Sequence, residues 1–211
     1  MDGVLFLSSE IHYQAYCEAL AAEPVEVLDY RELSGMRTDS AIQKIFNKSG
    51  IVLNPEKLQE LVSRKRESAS EMLRKKPPVA PDCNKVIAEF YRRGIPLALA
   101  SSSSSQNVQL FLESSGTRNF FSVILSGDDV KNAKPDQEIF RTSRNCLGIQ
   151  PEFCFVVEDS ENGILGAKAD GMKVIGVIGQ HTKKELQIFG TVATISHLDE
   201  LLQLSEFQSN I

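Results

Sequence analysis

The chain has no tryptophan, and only three histidines and four cysteines in 211 residues. Cys17, Cys83, Cys146 and Cys154 form no CxxC pair and have no histidine cluster nearby. That spacing argues against a metal site or a disulfide framework, and points to free thiols in a reducing, cytoplasmic setting. Positive charge is not in excess: 23 Lys and Arg stand against 28 Asp and Glu, a net −5. There is thus no electrostatic case for nucleic acid or an anionic membrane surface. No apolar run approaches the roughly 18 residues of a membrane span, and no basic region precedes an apolar one at the N-terminus. Internal repeats are absent, and the one low-complexity stretch is Ser101 to Ser105. What is there is an ordinary globular balance, 42% hydrophobic and 24% charged. The length allows one large domain, or a core with a smaller insertion. The sequence is silent on oligomeric state, and a monomer is the default expectation.

Taken in order, the chain divides in two. Ile11 to Ala22 has helical spacing, with His12, Ala15, Ala19 and Tyr16, Leu20 on repeating positions. Asp39 or Ser40 can cap a helix to Lys48 that Gly50 closes, and Asn54-Pro55 opens another that runs to about Lys75. The basic run Arg64-Lys65-Arg66 within it reads as a solvated helix face. Lys75-Lys76-Pro77-Pro78 reads as a linker. Residues 12–77 are therefore expected to form an all-helical unit. From Asp82, which can cap a helix ending at Arg93-Gly94, helices alternate with short apolar strands. Strands are predicted at Ile95–Ala100, Ser122–Leu125, Phe153–Val157, Lys173–Val177 and Val192–Ile195. Helices are predicted at Gln106–Ser115, Asp136–Cys146, Gly163–Asp170, Lys183–Phe189 and Leu198–Leu204. Such alternation implies an α/β fold, a parallel sheet with helices on both faces.

In a parallel sheet the strand ends line up along one edge, where ligands sit. The polar residues at those ends form a set. The opening Met1-Asp2-Gly3-Val4-Leu5-Phe6 reads as the end of a buried strand turning into a loop, with Gly3 letting the backbone approach a bound group. Ser101 follows Leu97-Ala98-Leu99-Ala100, Lys134 lies in Ala133-Lys134-Pro135-Asp136, and Glu158-Asp159 closes Val156-Val157. Carboxylates suit a hard cation such as Mg²⁺, which takes oxygen ligands and keeps waters that a phosphate can displace. Hydroxyls and amides at the Ser101-Ser102 turn suit phosphoryl oxygens, and the lysine neutralises charge on both. Each segment alone also reads as a loop, turn or helix cap. Four of them in this order behind these elements point to phosphate chemistry.

These stretches, with Val156-Val157-Glu158-Asp159-Ser160-Glu161-Asn162-Gly163, resemble the haloacid dehalogenase-like hydrolase superfamily, and within it the β-phosphoglucomutase-like phosphatases. The resemblance implies a Rossmann-like core made of residues 1–11 and 78–211, with residues 12–77 as an inserted helical cap. It implies Mg²⁺-dependent phosphoryl transfer through an aspartyl-phosphate, acting on a small phosphorylated metabolite such as a sugar phosphate. Position by position, Asp2 becomes the general acid/base with its backbone carbonyl on the metal. Ser101 binds phosphate beside Gly3 and Ser102, Lys134 stabilises the phosphoaspartate, and Glu158 and Asp159 position Mg²⁺. In Leu33-Ser34-Gly35-Met36-Arg37-Thr38, Gly35 and Arg37 match a cap segment that can contact substrate, the arginine suiting a second anionic group.

The chain departs from the pattern in three places. The family's two aspartates are spaced Asp-x-Asp and the first is the nucleophile; here Met1 holds the intervening position, so that aspartate falls ahead of residue 1. The strand leading to it, central in the family's sheet, falls there too, so the first central strand is truncated. Neighbouring strands lie about 4.8 Å apart, so an empty slot leaves the flanking strands nearly 10 Å apart, beyond hydrogen-bonding reach. A protein start further upstream is the expectation that avoids this. Leu7 stands where the family usually has aspartate, and Glu71 about where phosphoglucomutases carry a cap lysine. Two rival readings stay open: a phosphomutase that passes the phosphoryl group to a sugar, and a catalytically silent relative that only binds a phosphorylated ligand or a partner. The Glu158-Asp159 pair disfavours a dehalogenase proper.

Overall fold

A computed structural model describes residues 1–207. Four helices come first. α1 (Ser9–Leu20) buries His12, Ala15, Tyr16, Ala19 and Leu20 along one face. The short α2 (Tyr30–Leu33) starts where the Asp29 side chain accepts the Arg31 N–H. In α3 (Thr38–Lys48), Ala41, Ile42, Ile45 and Phe46 face inward. Asp39 lies in its first turn rather than ahead of it, and accepts the Ser40 N–H at 2.7 Å. α4 (Pro55–Lys75) begins as its sequence dictates: Asn54 Oδ1 accepts the Lys57 N–H at 2.8 Å and Pro55 fills the first helical position. The four helices share their own apolar core around Tyr16, Leu33, Ile42, Phe46 and Leu61.

The second region alternates as expected: α5 (Cys83–Arg92), β1 (Ala98–Ala100), α6 (Ser105–Ser115), β2 (Val123–Leu125), α7 (Glu138–Leu147), β3 (Phe155–Glu158), α8 (Glu161–Ala169), β4 (Lys173–Val177), α9 (Lys183–Phe189) and β5 (Ala193–Ile195). β1 is shorter than the predicted Ile95–Ala100, and Pro96, which has no N–H to give a ladder, accounts for the late start. Leu198–Gln203 is a 3₁₀ turn rather than an α-helix, the form short helical pieces take. All strand pairs are parallel, and helices pack on both faces. One layer of core gathers Phe6, Val86, Phe90, Leu99 and Phe111, and the other gathers Ile139, Phe140, Ile164, Met172 and Leu186.

The sheet is not continuous. β1 pairs only with β2, and β3, β4 and β5 form a separate set in that order. Among the described residues no strand bridges β1 and β3, so the expected central slot stands open as a cleft of about 310 Å³. The opening residues do not enter it as a strand. They form a turn closed by Gly3 N–H to Phe6 O at 2.8 Å, and then run antiparallel to Pro78–Ala80. Phe6, fully buried, anchors that turn edge-on against Phe111.

Candidate active site

The carboxyl ends of β1 and β3, the opening turn and the four-helix layer meet around a small pocket of about 50 Å³. That is room for a few waters. Asp2, Ser101, Ser102, Lys134, Glu158 and Asp159 all border it, so the groups predicted at the strand ends do converge. Ser101 is 2% exposed, Lys134 6%, Glu158 7% and Asp159 5%.

Each buried charge has a local explanation. Asp2 Oδ2 accepts from Ser103 Oγ at 2.8 Å and Ser101 Oγ at 3.3 Å, while Oδ1 accepts from Ser8 Oγ at 2.6 Å. Burial alone raises a carboxyl pKa, but the His12 and Ser8 hydrogen bonds and the nearby N-terminal amine outweigh it and keep Asp2 ionised. Lys134 Nζ donates to Glu158 Oε1 at 2.6 Å, and the other Glu158 oxygen accepts the Ser160 Oγ–H at 3.0 Å and the Asp159 and Ser160 N–H groups. Burial again works against the charge, yet Lys134 beside it holds Glu158 below the usual range. Asp159 is the opposite case. Burial and the neighbouring Glu158 and Asp2 charges push its carboxyl up to about 7.

Two glycines make this arrangement possible. Gly3 has φ +69°, and a Cβ there would sit 1.8 Å from Asp159 Oδ2. At Gly163 a Cβ would fall 2.1 Å from the Glu158 carboxyl carbon, so the first turn of α8 closes onto that side chain only because it is bare.

The helical layer covers one side of the pocket. Ser102 Oγ donates to Gly35 O at 2.7 Å and Asn162 Nδ2 to Ser34 O at 3.0 Å, which sets Gly35 against Ser160. Arg37 does not border the pocket. Its guanidinium grips Asp39 through Nε and Nη2, and Nη1 donates to the carbonyls of Val130 and Lys131, both at 3.2 Å.

Sequence reasoning missed a buried chain of three residues. Lys65 Nζ lies 3.0 Å from His12 Nδ1, and His12 Nε2 lies 3.2 Å from Asp2 Oδ1. Burial holds His12 and Lys65 below their usual pKa values, Lys65 at about 7. Lys65 then donates to a neutral imidazole whose Nε2–H points to Asp2. The basic run was expected to be a solvated face, and that is corrected here: consecutive helical residues point about 100° apart, so the three separate. Arg64 reaches Ala19 O, Arg66 pairs with Asp128, and Lys65 turns inward, 4% exposed, with its ammonium over Tyr16. The signal was present. Lys65 continues the apolar stripe Leu58, Leu61, Val62, Ala69, Leu73 at helical spacing. Glu71 by contrast is exposed and pairs with Lys75.

Residues 1–177 match the family described as haloacid dehalogenase-like hydrolase. The chain belongs to the haloacid dehalogenase-like hydrolases. A phosphorylated carbohydrates phosphatase of Thermotoga maritima is 30% identical over 213 residues, covering 98% of this chain and 96% of its own. A bifunctional riboflavin kinase/FMN phosphatase of Arabidopsis thaliana is 39% identical over 98 residues, 46% of this chain, and the match spans 26% of that larger protein. Among solved structures, a mutant CbbY from Rhodobacter sphaeroides in complex with xylulose 1,5-bisphosphate superposes with a TM-score of 0.82. It is 29% identical, and the match covers 95% of this chain and 93% of that one. This haloacid dehalogenase-like hydrolase thus has phosphatases among its relatives, and no described helix of it is long and apolar enough to cross a membrane.

Proposed function

We propose that the protein is a Mg²⁺-dependent phosphatase of small phosphorylated metabolites, with sugar phosphates as the substrate class. The observation that carries this reading is the convergence of Ser101, Lys134, Asp159 and the hydroxyl-ringed Asp2 on one buried sheet edge. The phosphatase of phosphorylated carbohydrates and the bisphosphate-bound CbbY support the substrate class.

The residues fit a magnesium site of a sparse kind. Among the described residues no three acidic, histidine or cysteine side chains stand together as a metal cluster. Glu158 is committed to Lys134 and to the Asp159 and Ser160 groups just ahead of α8. Asp159 is free, buried and repelled by its neighbours, which is what a cation relieves. Mg²⁺ accepts one or two carboxylates and keeps waters, so Asp159 and the Asp2 backbone carbonyl are the ligands we assign, with Glu158 orienting them. When bound, the ion supplies positive charge to the phosphoryl oxygens.

The chain's own groups supply the rest. Ser101 Oγ and the amides at the Ser102-Ser103 turn hold phosphoryl oxygens, and Lys134 offsets their charge. Gly3 keeps the backbone close enough to reach them. Asp2 handles the proton, and His12, braced by Lys65, fixes which way its carboxylate faces. A space of about 50 Å³ is too small for a sugar phosphate, so admitting one requires the helical cap to move, loosening the contacts that Ser34, Gly35, Arg37, Arg66 and Ser70 make with the second region.

The test is phosphate release from a panel of pentose and hexose phosphates by the protein purified from its own cells, with Mg²⁺ or with EDTA, alongside its intact mass. Mg²⁺-dependent release is expected. Saturable binding of sugar phosphates with no release would make the protein a binding module and overturn the reading. Phosphoryl transfer from a bisphosphate to a sugar, with no free phosphate, would make it a mutase.

A further inference from the structure

The turn between α2 and α3 touches both site loops with its backbone. Two successive carbonyls there each accept from one side chain, and the two donors come from different loops. Ser102, beside Ser101, reaches Gly35 O at 2.7 Å. Asn162, in the first turn of α8, reaches Ser34 O at 3.0 Å. Gly35 is thereby seated on Ser160: a Cβ on it would lie 2.3 Å from the Ser160 hydroxyl and 3.4 Å from the Asn162 Cβ. Ser160 is 1% exposed and its hydroxyl is fully engaged. It accepts the Gly163 N–H at 3.1 Å and donates its one proton to Glu158 at 3.0 Å. Glu158 in turn accepts from Lys134 at 2.6 Å. A continuous run of contacts thus leads from the cap, through Ser160 and Glu158, to Lys134.

We infer that Asn162 is a positioning residue, which seats Gly35 on Ser160 and so fixes the Ser160–Glu158–Lys134 run only while the cap is down. With Gly35 in place, turning the Ser160 hydroxyl away from Glu158 requires the cap turn to withdraw. When the cap moves to admit substrate, Glu158 keeps its backbone donors but its side-chain donor is released, and Lys134 loses a fixed partner. The site is then completed on closure, so that binding energy goes into alignment. Small displacements of an aligned group cost up to about a hundredfold in rate. The other cap contacts do not share this role. Arg66 holds Asp128 and Ser70 holds Asn107, neither of which touches Ser160 or Glu158. Only the kinetic part of this inference rests on the phosphatase reading.

The test compares Asn162→Ala and Asn162→Asp with Arg66→Ala in the full chain. Aspartate keeps the size of asparagine and loses the donor, and both replacements suit the first turn of a helix, so the fold should hold, checked by the urea midpoint. Both Asn162 variants should lower kcat for a sugar phosphate at least tenfold, with KM within about twofold, the pattern of alignment lost in the transition state. Arg66→Ala, which frees a cap contact and leaves the Ser160 run alone, should keep kcat within about twofold. A second readout needs no turnover. Amide-exchange protection of Gly163, whose N–H bonds to Ser160, should fall at least fivefold in the Asn162 variants and hold in Arg66→Ala. A raised KM with kcat intact would make Asn162 a simple tether, and unaltered Gly163 protection would show that Ser160 is held without the cap. Either result overturns the inference. A parent that releases no phosphate would strike the phosphatase reading, and Gly163 protection would then decide this one alone.

Discussion

Two regions lie between β1 and β3, one above the other, and they are opposite in character. At the carboxyl ends the space is about 50 Å³ and two of its three carboxylates are closely partnered, with four donors on Asp2 and four on Glu158. Below it the space is about 310 Å³, and polar side chains take little part. Polar groups close a gap because an unpaired buried charge is intolerable, so side chains from several elements reach across to one another. The walls of the lower space are apolar, as the flanks of a strand buried in a parallel sheet are. The site edge is therefore held by specific pairs, and the cleft by helices that pack on its outer faces. That difference makes the edge the part most easily broken by one substitution.

The largest effect is expected at Lys134. Lys134→Ala leaves Glu158 buried without its partner at 2.6 Å, and breaking such a pair typically costs about 3–5 kcal/mol. Urea denaturation should show that loss, and phosphate release should fall at least a hundredfold. A variant with normal kinetics would reduce Lys134 to a structural ion pair.

Asp159 separates stability from function. Its folded pKa of about 7 lies above the ordinary 3.8. Between those values the folded chain holds a proton that the unfolded chain has released, so without metal stability falls as pH rises from 4 to 7. Asp159→Asn removes that dependence. In EDTA the variant should match the parent near pH 4 and exceed it by up to a few kcal/mol at pH 8, while Mg²⁺-dependent turnover is lost. An unchanged urea midpoint at pH 8 would show that Asp159 is not strained, and retained turnover would remove it from the metal site.

Lys65 has the reverse sign. Its folded pKa of about 7 lies below the ordinary 10.5, so over that window the unfolded chain binds a proton that the folded chain does not. Stability therefore rises with pH from about 7 to 10. Lys65→Met should flatten that slope by one proton, read as the pH dependence of the urea midpoint, and slow turnover severalfold by freeing His12 beside Asp2. A slope that survives the substitution would assign it to another group.

Much of this was legible in the sequence, where local chemistry alone decides. Asn54-Pro55 starts a helix because the cap and the proline act within one turn, and Gly94 ends one because φ is +72° there. The strand-end motifs could be read because the residues that carry them sit where a parallel sheet must place them. What escaped depended on rotation or on partners far along the chain. Lys65 looked solvated beside two arginines, although its place in the apolar stripe of α4 pointed inward. α2 is only four residues, too short to show a period. Two-sided capture of Arg37 by Asp39 and by carbonyls 93 and 94 residues away leaves no mark in local sequence.

Arg37 is also where the smallest effect is expected. As placed, it ties the helical layer to the Val130-Lys131 loop rather than facing the pocket. The pair with Asp39 is partly exposed, with side chains 22% and 34% accessible, and such pairs contribute about 0–1 kcal/mol. Arg37→Ala should therefore move the urea midpoint only slightly. Its kinetic effect is the informative one. If Arg37 acts as a strap, losing it eases cap opening, and KM should change by a similar small factor for monophosphates and bisphosphates alike. If the arginine swings to a second anionic group once the cap opens, KM should rise at least tenfold for bisphosphates and stay level for monophosphates. The strap arrangement predicts the first pattern, because leaving Asp39 and two carbonyls would forfeit four hydrogen bonds for the sake of one phosphate.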